Sequence, residues 1–100
     1  MSEANRLFLE AQELLAEGKT DQAMETLTAS IAADPTMWAY AERAKLRAQA
    51  GNEQAAIEDC DAALKIFPAD PDLLWLKGEF EKPKDKRFQG RFKTPPSANR

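Results

Sequence analysis

The chain repeats itself every 33 residues. Gly18 recurs as Gly51, Ala23 as Ala56 and Pro35 as Pro68. Ala11 recurs as Ala44, Glu25 as Glu58, Ala29 as Ala62 and Ile31 as the similar Leu64. A period in this range marks a stacked architecture, because each unit is one supersecondary element that cannot bury its apolar face alone. Each unit needs contact only with its neighbours, so a short chain can hold such a stack where a single globular core would be modest.

With 100 residues the chain has room for one small domain. Segments rich in Ala, Glu and Leu, with few β-branched residues, favour helix throughout. The first helix is predicted from about Glu3 to Glu17, with Ser2 as its N-cap. Leu7, Ala11, Leu14 and Leu15 make one apolar face at helical spacing. Gly18 ends it, since glycine accepts the left-handed conformation. Thr20 is the expected cap of a second helix whose stripe is Ala23, Met24, Leu27 and Ile31, closed by Asp34-Pro35. A third runs from Thr36 or Met37 to Ala50 and stops at Gly51. Asn52 caps a fourth, with Ala56, Ile57, Cys60, Ala63, Leu64 and Phe67 facing inward. A fifth opens at Asp70-Pro71, contains Leu73, Leu74, Trp75, Leu76 and Phe80, and stops at Pro83. Turns this short force antiparallel neighbours.

Net charge of −3 conceals an asymmetry. Residues 1–81 carry 16 acidic and 7 basic side chains, net −9, while residues 82–100 carry 7 basic and one acidic, net +6. The expected organisation is a helical-repeat domain over 1–81 and a basic tail over 82–100. Pro83, Gly90, Pro95 and Pro96 work against a helix in that tail. Two expectations follow for it. It is disordered, or it folds back on the acidic body with Phe88 and Phe92 covering apolar surface left at Leu73, Leu76 and Phe80. Exchange of the tail between two copies is the variant of the second.

The segments from Gly18 to Pro35 and from Gly51 to Pro68 resemble the second halves of tetratricopeptide repeats. Residues 4–35 and 37–68 match the family pattern, with Gly18, Ala23, Leu27, Ser30 and Pro35 paralleled by Gly51, Ala56, Cys60, Ala63 and Pro68. Leu74 to Gly78 is similar to the first half of a third repeat. The resemblance implies an all-α stack of antiparallel helix pairs: two repeats plus one additional helix and an irregular tail. The sequence departs from the family in three places. The spacing is 33 rather than 34, with a residue missing most simply after Pro35. Ala11 and Ala44 replace a usual glycine, which Gly78 retains. Cys60 stands where a larger side chain is common.

Catalytic chemistry finds no residue set. There is no histidine, the commonest general base and metal ligand. Cys60, the single cysteine, lies on an apolar helical face without a partner base. Glu58, Asp59 and Asp61 point to different helix faces and do not form a metal site. The reading is that the chain is not an enzyme and uses no cofactor.

The resemblance also implies a binding face. In tetratricopeptide stacks the first helices of successive repeats line a concave surface. Here that surface would hold Asn5, Phe8, Leu9 and Gln12, then Trp38, Ala41, Glu42, Lys45 and Gln49, then Asp72, Trp75, Leu76 and Glu79. Of these, Phe8, Gln12, Trp38, Glu42, Lys45, Trp75 and Glu79 are the candidate partner-binding residues. Phe8, Trp38 and Trp75 supply one aromatic per repeat, and aromatics are common anchors. The alternative is that Trp38 and Trp75 pack between helices as core. Co-chaperones of this family grip a carboxylate with lysine and asparagine. The matching positions here, Phe8, Gln12, Glu42, Asp72 and Leu76, hold no clamp cation, so that activity is disfavoured.

The expected function is a protein-interaction module, an adaptor or scaffold taking an apolar, partly basic peptide. The alternatives are a self-associating unit, dimeric through the fifth helix or the tail, and a co-chaperone-like adaptor without the clamp. Nucleic acid is a weaker expectation, since the acidic body repels a duplex. No apolar run approaches the ~20 residues that span a bilayer. The polar stretch Met1–Glu10 is neither secretory nor transit signal, so a cytoplasmic location without membrane contact is expected.

Overall fold

A computed structural model describes residues 2–89 and 95–96. The described residues form five α-helices: α1 Glu3–Ala16, α2 Thr20–Ala33, α3 Met37–Gln49, α4 Glu53–Ile66 and α5 Pro71–Glu81. Among the described residues there is no β-strand. Sequential helices pack on one another, and α3 also touches α5. The result is an all-α stack of adjacent helix pairs.

Helix ends follow from single residues. Gly18 and Gly51 have φ of +78° and +88°, a region that Cβ disfavours for other residues. Each glycine sits in the same double hydrogen bond. The N–H groups of Gly18 and Lys19 donate to the carbonyls of Leu15 and Leu14, and those of Gly51 and Asn52 to Ala48 and Arg47. This is the Schellman arrangement, and it satisfies carbonyls that a helix end would otherwise orphan. Ser2, Thr36, Asn52 and Asp70 accept hydrogen bonds from the N–H three residues on. Thr20 does not act as a cap. It is the first residue of α2, and Lys19, in the cap position, makes no side-chain capping bond. The turn that closes on Lys19 carries the chain directly into α2. The linker after α2, residues 34–36, is one residue shorter than that after α4, residues 67–70.

Two apolar clusters lie along the stack, and much of the second is the first displaced by 33 residues. Ala11, Ala23 and Leu27 are buried with Phe8, Leu15 and Met24 against them. Ala44, Ala56 and Cys60 are buried with Ala41, Ala48 and Ile57 in the corresponding places. Ala11, Ala23, Ala44 and Ala56 are completely buried. Small side chains at these points let the helix backbones approach. Ser30, also fully buried, donates from its hydroxyl to the Ala4 carbonyl at 2.8 Å, joining α2 to α1. That bond removes the penalty of a polar atom in the interior.

An ion cluster joins α3 to α4, and a hydroxyl bond links it to α2. The Asp59 carboxylate on α4 is buried and receives Arg43 Nε at 3.0 Å, Arg43 Nη2 at 2.7 Å and Arg47 Nη1 at 2.9 Å, both arginines from α3. Arg43 Nη1 reaches on to Thr28 Oγ1 of α2 at 3.2 Å. Its guanidinium also lies over the Tyr40 ring. One side chain thus ties α2, α3 and α4 together.

Leu73, Leu76 and Phe80 are buried rather than left bare. Leu76 and Phe80 complete the second cluster, and residues 82–89 return along α5. Lys84–Lys86 form a 3-10 turn, and Phe88 meets Phe80 edge-on with centroids 6.3 Å apart. Phe92, the other aromatic expected to cover this face, lies outside the described residues.

Candidate functional site

The stripe on the first helix of each unit has the same internal spacing. Asn5, Phe8, Leu9 and Gln12 on α1 correspond to Trp38, Ala41, Glu42 and Lys45 on α3, and to Asp72, Trp75, Leu76 and Glu79 on α5. Steps of three and four keep each set on one helix face. A cavity of about 220 Å³ opens where these faces meet. Phe8 enters it from α1; Met37, Trp38, Ala41, Glu42 and Lys45 from α3; Asp72, Trp75 and Leu76 from α5.

The two tryptophans differ. Trp38 is 63% exposed, although its ring borders the cavity. It is therefore not core. Its position in the first turn of α3, directly after the Thr36 cap, holds it at the mouth. Trp75 is half-buried, packs against the second apolar cluster and sits 5.6 Å from Phe88, centroid to centroid. It forms a wall. Lys45 Nζ lies 3.9 Å from Glu42 Oε2, so the cation on this wall is partly neutralised by its neighbour one turn away.

Of the seven candidate residues, Phe8, Trp38, Glu42, Lys45 and Trp75 come together around this cavity. Gln12 is half-buried one turn further along α1 and does not line it. Glu79 occupies the register of Lys45 but is buried. Its carboxylate accepts from Lys82 Nζ and from the Phe88 N–H at 2.6 Å. Burial pushes its pKa up, but these two donors outweigh burial and hold it below the usual carboxylate value. Glu79 thus faces the returning tail, not the groove.

The acidic trio Glu58, Asp59 and Asp61 is dispersed. Asp59 is taken up by the two arginines, Asp61 pairs with Lys77 at 2.7 Å, and Glu58 is exposed. Burial, reinforced by Asp59 and Asp61, pushes the Cys60 thiol up to about 12. A thiol so raised stays protonated and unreactive.

Two features had escaped the sequence reading. The arginine pair on Asp59 left one trace in the sequence, though not the contact itself. The positions 33 residues earlier hold Glu10, Leu14 and Thr26, so Arg43, Arg47 and Asp59 depart from the repeat together. The second feature is the tail's own arrival. Pro95 lines the aromatic cavity, and no local pattern signals it.

Compared with known proteins, the chain matches no family model and no solved structure.

Proposed function

We propose that this chain is a protein-interaction module of tetratricopeptide type, taking an extended peptide segment on the face formed by α1, α3 and α5. The observation that carries the reading is the exposure of Trp38 at the mouth of a cavity whose walls include Phe8 and Trp75. A tryptophan that packs as core would be covered. One held at a cavity rim offers a large contact area at small entropic cost, as interface anchors do. The 33-residue repeat and the small residues at helix contacts support the family reading. Glu42 and Asp72 beside the aromatics favour a peptide with basic as well as apolar residues. Such charges chiefly speed and select encounter, while the aromatics carry affinity.

A displayed peptide library panned on the full chain tests this. The expected enrichment is for apolar sequences with flanking Lys or Arg. Trp38→Ala should weaken the enriched peptides at least about tenfold, or ~1.4 kcal/mol, with an unchanged thermal melt. Peptides that bind Trp38→Ala as tightly as the parent overturn the assignment. A concentration series by analytical ultracentrifugation separates this module from a self-associating unit, and a monomer is expected.

A further inference from the structure

Pro95 stands among the residues lining the aromatic cavity, beside Trp38, Trp75 and Glu42. The same tail is anchored nearby. The Phe88 N–H is hydrogen-bonded to Glu79, and the Phe88 ring lies against Trp75 and Phe80. Arg87 closes the end of α5, donating to the carbonyls of Glu79, Phe80 and Lys82 at 3.0, 2.7 and 3.0 Å. A second cavity, about 370 Å³, is bordered by Phe88 and Arg87 and shares Trp75 and Lys45 with the first. The tail therefore has one anchor on each side of Trp75: Phe88 behind it and Pro95 in the groove before it.

We propose that the groove's resident occupant is the chain's own Pro95 segment, and that a partner binds by displacing it. The inference rests on the reading of this face as a peptide site and names its ligand class: a Pro-Pro segment in a basic sequence. The chemistry is that of the resident. Pro95 has its φ set by its own ring, and Pro96 after it, itself in a 3-10 turn, disfavours the helical region at Pro95, so the backbone there is preset before it docks. A backbone preset by consecutive prolines loses little entropy on lying against aromatic walls. The tail's net +6 complements the body's net −9. Phe88 carries a φ of +57°, a left-handed conformation that is unfavourable for a bulky side chain. The Glu79 hydrogen bond and the two ring contacts hold it there. Their loss would relieve that strain, which makes the anchor releasable.

Tethering sets the magnitude. A tail on a short flexible linker reaches an effective concentration of order mM. A free peptide of intrinsic Kd near ~100 µM would then bind about tenfold more weakly than to an open groove. The probe is a synthetic peptide of residues 91–100, RFKTPPSANR. It is titrated into the full chain and into a full-length Pro95→Ala/Pro96→Ala variant, with the Trp38 and Trp75 indole N–H resonances followed by NMR. The expected result is that the variant shifts the Trp38 resonance. The peptide should then bind the variant at least fivefold more tightly than the parent and return the resonance toward its parental position. Equal affinity for both chains overturns displacement and leaves the peptide site standing. Coincident Trp38 resonances in the two chains before any peptide is added overturn the resident occupant. Absence of binding to either chain overturns the peptide-site reading and, with it, this inference.

Discussion

Arg43 grips Asp59 with two nitrogens of its guanidinium, at 3.0 and 2.7 Å, within the second helix pair, α3 and α4. Arg47 adds a third bond to the same carboxylate. Removing the acid would leave two partly buried cations without it. Asp59→Ala should therefore destabilise the fold by about 3–5 kcal/mol, read as a lower midpoint in urea. Arg47→Ala, whose side chain is 30% exposed against 12% for Arg43, should cost less. An Asp59→Ala chain as stable as the parent would remove the ion cluster from the forces holding the stack.

Close helix contact at Ala23 and Ala56 makes a packing prediction. Both are completely buried. Leucine at either position should overfill the contact and destabilise by about 1–3 kcal/mol. Leucine at the exposed Gln22 should be nearly silent. Equal melts for the three variants would contradict the packing.

Trp38 and Trp75 should separate in solution. In a Trp75→Phe chain the remaining Trp38 fluorescence should be readily quenched by acrylamide. In a Trp38→Phe chain Trp75 should be quenched markedly less. Comparable quenching would place Trp38 in the interior and remove the anchor of the proposed site.

The Glu79 anchor has a defined pH dependence. Its carboxyl is held below the ordinary 4.5 in the folded chain. A group so lowered contributes stability above its unfolded pKa, and that contribution is lost as pH falls through the folded value. Tail docking should therefore be constant at neutral pH and weaken only below about pH 4.5. Trp75 emission in the Trp38→Phe chain would follow it, and Glu79→Gln should abolish the acid transition. A transition centred near neutrality would rule out Glu79 as its source.

The Cys60 thiol, raised to about 12 by burial and by its acidic neighbours, should resist a thiol reagent at pH 8 in the native chain. It should react promptly in denaturant. Fast native labelling would mean that α4 opens locally far more often than its burial implies.

Local rules account for what the sequence determined by itself. The left-handed glycines at 18 and 51, the capping side chains at 2, 36, 52 and 70, and the 33-residue recurrence of alanine act through neighbours a few residues away. They settle where helices stop and which faces turn inward. The aromatic stripe was legible for the same reason, since spacings of three and four place Phe8, Trp38 and Trp75 on corresponding faces. What only the tertiary structure decided were contacts between distant positions. Arg43 meets Asp59 because α3 and α4 pack antiparallel in one register. Glu79 shares the spacing of the groove residues but is covered, because the chain turns back after Lys82. Pro95 lines a cavity built by α1, α3 and α5, all far from it in sequence. None of these has a period, and each depends on where a chain reversal brings charge, ring and groove together.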